Sequence, residues 1–108
     1  MSSRFVEPIA YRLTNYAYLK LLVAAEEIEV REGEVSDVRI EPIILPPSTI
    51  SSPLSAIRHA FGIVLDVHGL DGAERRLESV SFLPIEDGLV ERGDLLGVIK
   101  VFILGKEP

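Results

Sequence analysis

The sequence predicts a mainly β protein, a compact β-barrel or β-clip-like sandwich with at most one short helix, over residues 53–61. Three observations lead there. Runs of β-branched, aromatic and leucine residues recur along the chain, several of them alternating apolar with polar. Clusters of Gly, Pro and Asp separate these runs at the short intervals expected of β-sandwiches and barrels. Only one segment carries helical spacing. The chain has 108 residues, with no linker and no visible internal repeat, so it fits a single domain spanning 1–108.

Residues 16–25 are apolar on both parities, which suits a strand covered on both faces. Leu and Ala there also favour a helix, the rival reading. Ile28 and Val30 then alternate with Glu27, Glu29 and Arg31, and Glu32-Gly33-Glu34 supplies a turn. In the return over 35–45, Val38 and Ile40 oppose Asp37, Arg39 and Glu41 in parity. Together the two segments read as a hairpin with one apolar and one charged face. Pro46-Pro47 ends it.

Residues 51–62 are the helical candidate. Ser52 is placed to cap, Pro53 suits the first helical position, Leu54, Ile57 and Phe61 share a face, and Gly62 can end the turn. So short a helix is marginal, and an irregular turn is the alternative. Residues 63–68 form a β-branched strand with Ile63, Leu65 and Val67 facing the core. A turn at Gly69-Leu70-Asp71-Gly72 follows, then a strand over 77–85 closed at its end by Pro84. Gly93-Asp94 turns the chain into 95–104, where Lys100 is the only charge. Such an apolar strand belongs at a sheet centre or in a subunit interface.

Composition removes several function classes. With no cysteine there is no disulfide, thiolate zinc site or cysteine nucleophile, and a reducing compartment suits the chain. The net charge of −6 opposes general nucleic-acid binding, and no basic run exceeds Arg75-Arg76. The longest uncharged stretch, 42–57, is interrupted by Pro42, Pro46, Pro47 and Pro53, so no membrane-spanning helix is expected. Glu7 falls where a secretory leader would need its apolar run, which leaves a cytoplasmic location as the expectation. Gln is absent, Asn15 is the only Asn and Met1 the only Met, a depletion that fits a thermophilic source.

Two stretches resemble an uncharacterised archaeal family, domain of unknown function family twenty-two. One is Ile50-Ser51-Ser52-Pro53-Leu54-Ser55-Ala56-Ile57-Arg58-His59-Ala60-Phe61-Gly62-Ile63-Val64-Leu65-Asp66-Val67. The other runs Glu86-Asp87-Gly88-Leu89-Val90-Glu91-Arg92-Gly93-Asp94-Leu95-Leu96-Gly97-Val98-Ile99-Lys100-Val101-Phe102. The resemblance implies an archaeal origin and supplies no activity. Residues 55–65 and 90–98 are also similar to segments of trimeric dUTP pyrophosphatases and other β-clip proteins. That likeness implies a β-clip-like fold only. Ala56 stands where those enzymes have glycine, and neither their uracil-binding hairpin nor their aspartate motif has a match around Asp71.

Candidate chemistry gathers on few residues. Asp66 and His68 share a strand face, so they are the catalytic candidates, as a carboxylate–imidazole pair orienting a general base. Arg58, His59 and Asp71 lie nearby in sequence as ligand-binding candidates. No histidine spacing of metal-site type exists, so no metal is expected, and the sequence specifies no cofactor. The acidic run from Glu26 to Glu34 reads as a solvated strand face. Ser51, Ser52 and Ser55 lack a nucleophile elbow, phosphate-cradling glycine loops are absent, and Arg92-Gly93-Asp94 reads as a turn. Arg75-Arg76 could hold an anion, with surface pairing to Glu74 and Glu78 as the plainer account. The expectation is a homo-oligomer, dimer or trimer, acting as a small-molecule or protein binding and assembly module. The alternatives are an enzyme acting on a nucleotide or phosphorylated small molecule at a subunit boundary, and a structural subunit of a larger complex.

Overall fold

The computed structural model describes residues 10–12, 17–70 and 75–104. Among the described residues nine strands follow one another: β1 (Ala10–Arg12), β2 (Ala17–Val23), β3 (Ile28–Val30), β4 (Ser36–Leu45), β5 (Thr49–Arg58), β6 (Gly62–Leu70), β7 (Arg75–Pro84), β8 (Gly88–Val90) and β9 (Leu95–Ile103). They form a four-stranded sheet of order β1-β2-β9-β5, a three-stranded sheet of order β4-β7-β6, and a ribbon of β3 with β8. Every ladder is antiparallel, and none of the sheets closes into a barrel. No helix long and apolar enough to cross a membrane is present among the described residues.

The inner faces of the two large sheets supply one core. Leu22, Ile99 and Val101 come from the first sheet, Val38, Val80 and Phe82 from the second, and Val30 and Val90 from the ribbon. Tyr18 packs against this cluster, and burial pushes its phenol up from the ordinary value. Leu95–Ile103 is indeed the apolar central strand, flanked by β2 and β5.

Three expectations need correction. Residues 53–58 are not a helix but part of β5, where Ile50, Ser52 and Leu54 lie opposite Phe102, Lys100 and Val98. Pairing with β9 satisfies the backbone of a segment too short to hold a helix alone. Pro53 is tolerated because β5 is an edge strand. The 28–45 hairpin does not form either: β3 pairs with β8, and β4 pairs with β7. In β6, a bulge between Val64 and Asp66 turns Leu65 out to solvent and leaves Val64 and Val67 on the core.

The fold also contains an internal two-fold repeat that the sequence conceals. Moving by 60 positions (93 − 33) carries the turn Arg31-Glu32-Gly33-Glu34 onto Glu91-Arg92-Gly93-Asp94. In each turn the glycine takes a left-handed conformation, φ 80° at Gly33 and 92° at Gly93. Each glycine N–H donates to the end of the other half, Gly33 to the Pro84 carbonyl at 2.9 Å and Gly93 to the Ala24 carbonyl at 2.8 Å. The ribbon obeys the same exchange, since Ile28↔Val90 becomes Gly88↔Val30. Thus β2-β3-β4 repeats as β7-β8-β9, and β2 on β9 mirrors β7 on β4.

Because both turns need positive φ, Gly33→Ala and Gly93→Ala should each cost about 1–2 kcal/mol. Phe82→Ala, in the shared core, should cost about 3–5 kcal/mol. Urea unfolding of the three variants checks both the sizes and the near-equality of the two glycine effects.

Candidate functional site

β6 is the outer strand of its sheet, and its register places Asp66 opposite Ser81 and His68 opposite Ser79. Across β7, the same serines face Asp37 and Arg39 of β4. The outward face therefore carries two polar rows, Asp37–Ser81–Asp66 and Arg39–Ser79–His68. Asp66 and His68 do share a face, as the strand period requires. No hydrogen bond joins them. Asp66 Oδ1 accepts the Val67 N–H at 2.8 Å, and His68 Nε2 shares a 2.6 Å hydrogen bond with Ser81 Oγ. Ser81 was not among the sequence candidates, because its role depends on a cross-strand register that no local motif encodes. A hydroxyl bonded to an imidazole is half of a nucleophile–base arrangement. Among the described residues no carboxylate orients the ring, and both Asp66 and His68 stand exposed.

His59 does something else. It is 8% exposed at the corner between β5 and β6, tilted against the Phe61 ring and edge-on to Phe82. Its Nδ1 accepts the Phe61 N–H at 3.0 Å, which leaves the Nε2 proton to donate to Asp94 Oδ2 at 2.8 Å. The imidazole thus ties the β5–β6 corner to the β8–β9 turn. Arg58 Nη1 donates to the His59 carbonyl at 3.2 Å and belongs to the same corner. His68 lies six residues beyond Gly62 (68 − 62), about 20 Å along the strand at its usual rise. The structure therefore separates Arg58 and His59 from Asp66 and His68. Asp71 lies outside the described residues.

Asp94 accepts a second hydrogen bond, from the Glu91 N–H at 3.0 Å. That backbone donor first, and the His59 imidazole next, hold its carboxyl below the usual carboxylate range, against a smaller opposing effect of burial. A depressed pKa adds stability that is present above the unfolded value and lost as pH falls through the folded one.

A recess of about 370 Å³ opens between β5 and β6, reaching the start of β7. Ser51, Asp66, His68, Arg75 and Leu77 are among its lining residues. Arg75 Nη1 donates to the Thr49 carbonyl. Arg76 takes the surface role, paired with Glu78 at 2.6 Å. Among the described residues no group of three or more His, Asp or Glu side chains is arranged to hold a metal ion. Within the acidic run, the Glu26 carboxylate accepts the Arg39 N–H at 3.0 Å, on the open edge of β4.

A family model described as a domain of unknown function, DUF22, matches residues 2–88. This chain belongs to the DUF22 family. A similar protein is an uncharacterized protein of Methanocaldococcus jannaschii, 28% identical over 98 residues, covering 87% of this chain and 75% of that protein. No solved structure matches. The family match ends within β8, so the first of the two stretches singled out in the sequence lies inside it and most of the second lies beyond. Yet β9 is the strand that joins β2 to β5, so the folded unit extends past the matched region.

Replacing Asp94 with Asn should flatten the acid limb of the stability profile. Thermal unfolding between pH 2 and pH 5 measures it, and a limb as steep as that of the parent protein would remove Asp94 from the account.

Proposed function

We propose that this DUF22 domain works by binding, as a homo-oligomeric module, and that a second copy covers the outer face of the β1-β2-β9-β5 sheet. One comparison carries the reading. The internal repeat gives two copies of one backbone arrangement, so each outer face serves as a reference for the other. Leu19 and Leu21 stand where Ser79 and Ser81 stand in the other half, and Val98 and Lys100 stand where Asp37 and Arg39 stand. One half presents the charges and hydroxyls of a solvated sheet; the other carries half-buried Leu19 and Leu21 beside a Val98 already buried within the single chain.

The flanking strands widen this contrast. Ile50 and Leu54 of β5 extend the apolar rows through Phe102 and Val98, whereas Asp66 and His68 of β6 extend the polar ones. Ile50 is 50% exposed and Phe102 37% exposed, with the Lys100 ammonium 5.1 Å from the Phe102 ring centroid. Exposed aromatic and apolar side chains such as Phe102 and Ile50 are the kind enriched at subunit contacts. Sheet edges are poor docking sites by comparison. β4 has Pro42 and a Glu26 cap, β5 has Pro53, and β6 is broken by two bulges. Face-to-face association suits the molecule better than edge pairing.

The absence of cysteine and the scarcity of Asn, Gln and Met support a cytoplasmic role in a thermophilic cell. A binding role is favoured over catalysis because, among the described residues, no carboxylate orients the Ser81–His68 pair and His68 is open to solvent.

Sedimentation equilibrium at micromolar concentration should return a dimer or trimer mass. Phe102→Glu and Ile50→Glu should both reduce it to the monomer, while Ser81→Glu on the opposite face should leave it unchanged. A monomeric parent protein would refute the reading.

A further inference from the structure

We propose that the recess between β5 and β6 binds a small polyol or hydroxy acid bearing a single anionic group. The cleft has a topological origin. β5 and β6 leave the same corner, meet at the isolated His59↔Gly62 bridge and form no ladder with each other. Their edges part from there, and space opens where Ser51 faces the stretch from Asp66 to Leu70. At about 370 Å³ it falls at the small end of ligand pockets and has room for a compact metabolite.

Its polar groups are complementary to a ligand with two different ends. Arg75 is half-buried, and its bond to the Thr49 carbonyl fixes the guanidinium. Thr49 is itself buried, with its hydroxyl donating to the Pro46 carbonyl at 2.8 Å, so the anchor is rigid. Apart from the Nη1 contact, the guanidinium makes no hydrogen bond to a described residue, leaving a planar fork for a carboxylate or phosphate. Asp66 spends Oδ1 on the Val67 N–H and keeps Oδ2 to accept from a hydroxyl. Ser51 adds a hydroxyl, and Val67 and Leu77 add apolar floor for a short carbon skeleton. The Asp66 carboxylate repels a second negative group, which sets the limit at one anionic end.

This site does not depend on the assembly reading, because a monomeric chain would still contain the recess. The test is titration of ¹⁵N-labelled protein with glycerol 3-phosphate and with glycerate, followed by amide chemical shifts. Glycerol and inorganic phosphate serve as the two half-ligands. Shifts should centre on Ser51, residues 66–70 and residues 75–77. At least one two-ended probe should bind about tenfold or more tightly than either half, the gain expected from adding a charge-assisted hydrogen-bond set to a hydroxyl contact. Whichever probe binds more tightly assigns the anionic end as phosphate or carboxylate.

Arg75→Lys keeps a cation near the Thr49 carbonyl but loses the fork, and should weaken binding about tenfold. Ser51→Ala should weaken it less, and Arg39→Lys on the outer face should leave it unchanged. The proposal is overturned if no probe shifts these amides at about 10 mM, if inorganic phosphate binds as well as both two-ended probes, or if Arg75→Lys binds as the parent protein does.

Discussion

β9 is hydrogen-bonded along both of its edges, to β2 and to β5, and the rest of the architecture follows from that double pairing. Its inward side chains, Ile99 and Val101, are fully buried in the core shared by both sheets. Its first residues emerge from the Gly93 turn, which is bonded back to Ala24 and held to the β5–β6 corner by His59 and Asp94. A strand buried on both edges and one full face must be apolar nearly throughout, and its single charge, Lys100, lies on the outer face beside Phe102. The DUF22 match covers the strands that flank β9 and stops before it, so the matched region alone would leave β2 and β5 without the partner between them.

The internal repeat gives the structure a built-in comparison. Two halves with the same turn, the same ribbon and the same central ladder have kept most inward residues similar, Leu22 with Phe82 and Val30 with Val90, although buried Lys20 stands where the other half has Val80. Their outward residues have separated into a leucine–valine face and a serine–carboxylate–arginine face. Inward similarity follows from close packing, which penalises changes of volume on either side of one core. Outward divergence has no such origin, because a strand exposed to water is free to carry polar side chains on that face. In the assembly we propose, the difference reflects what each face meets rather than how each half folds.

Legibility of the sequence followed the range of the interactions involved. The period-two strands and the Gly-containing turns were readable because they are local: 28–30, 36–45 and 95–103 each carry their own pattern. Pairing was not readable. Glu32-Gly33-Glu34 has every local feature of a hairpin turn, yet β3 leaves for β8 because the partner is chosen by long-range packing. Pro53 at a first-helical position misled for the same reason, since β9 supplies the backbone partners that a helix would have supplied internally. The repeat stayed hidden because Leu96 adds a residue to β9 and shifts its alignment with β4 by one. Asp66 and His68 sharing a face followed from strand geometry, whereas Ser81, Ser51 and the fixed Arg75 depend on contacts between separate strands. Within one chain Arg58 and His59 lie apart from them, because neighbours in sequence on an extended chain move apart quickly in space.

The central claim is that the apolar outer sheet face is covered in solution while its polar counterpart is not. Ile50 on the first face and Ile44 on β4 share a side-chain chemistry and have nearly equal exposure in the single chain, 50% and 45%. Carbene footprinting read residue by residue, at micromolar protein, compares them within one sample. The account predicts that Ile50 is labelled several-fold less than Ile44, with Phe102 protected alongside it. Equal labelling of the two isoleucines would contradict it.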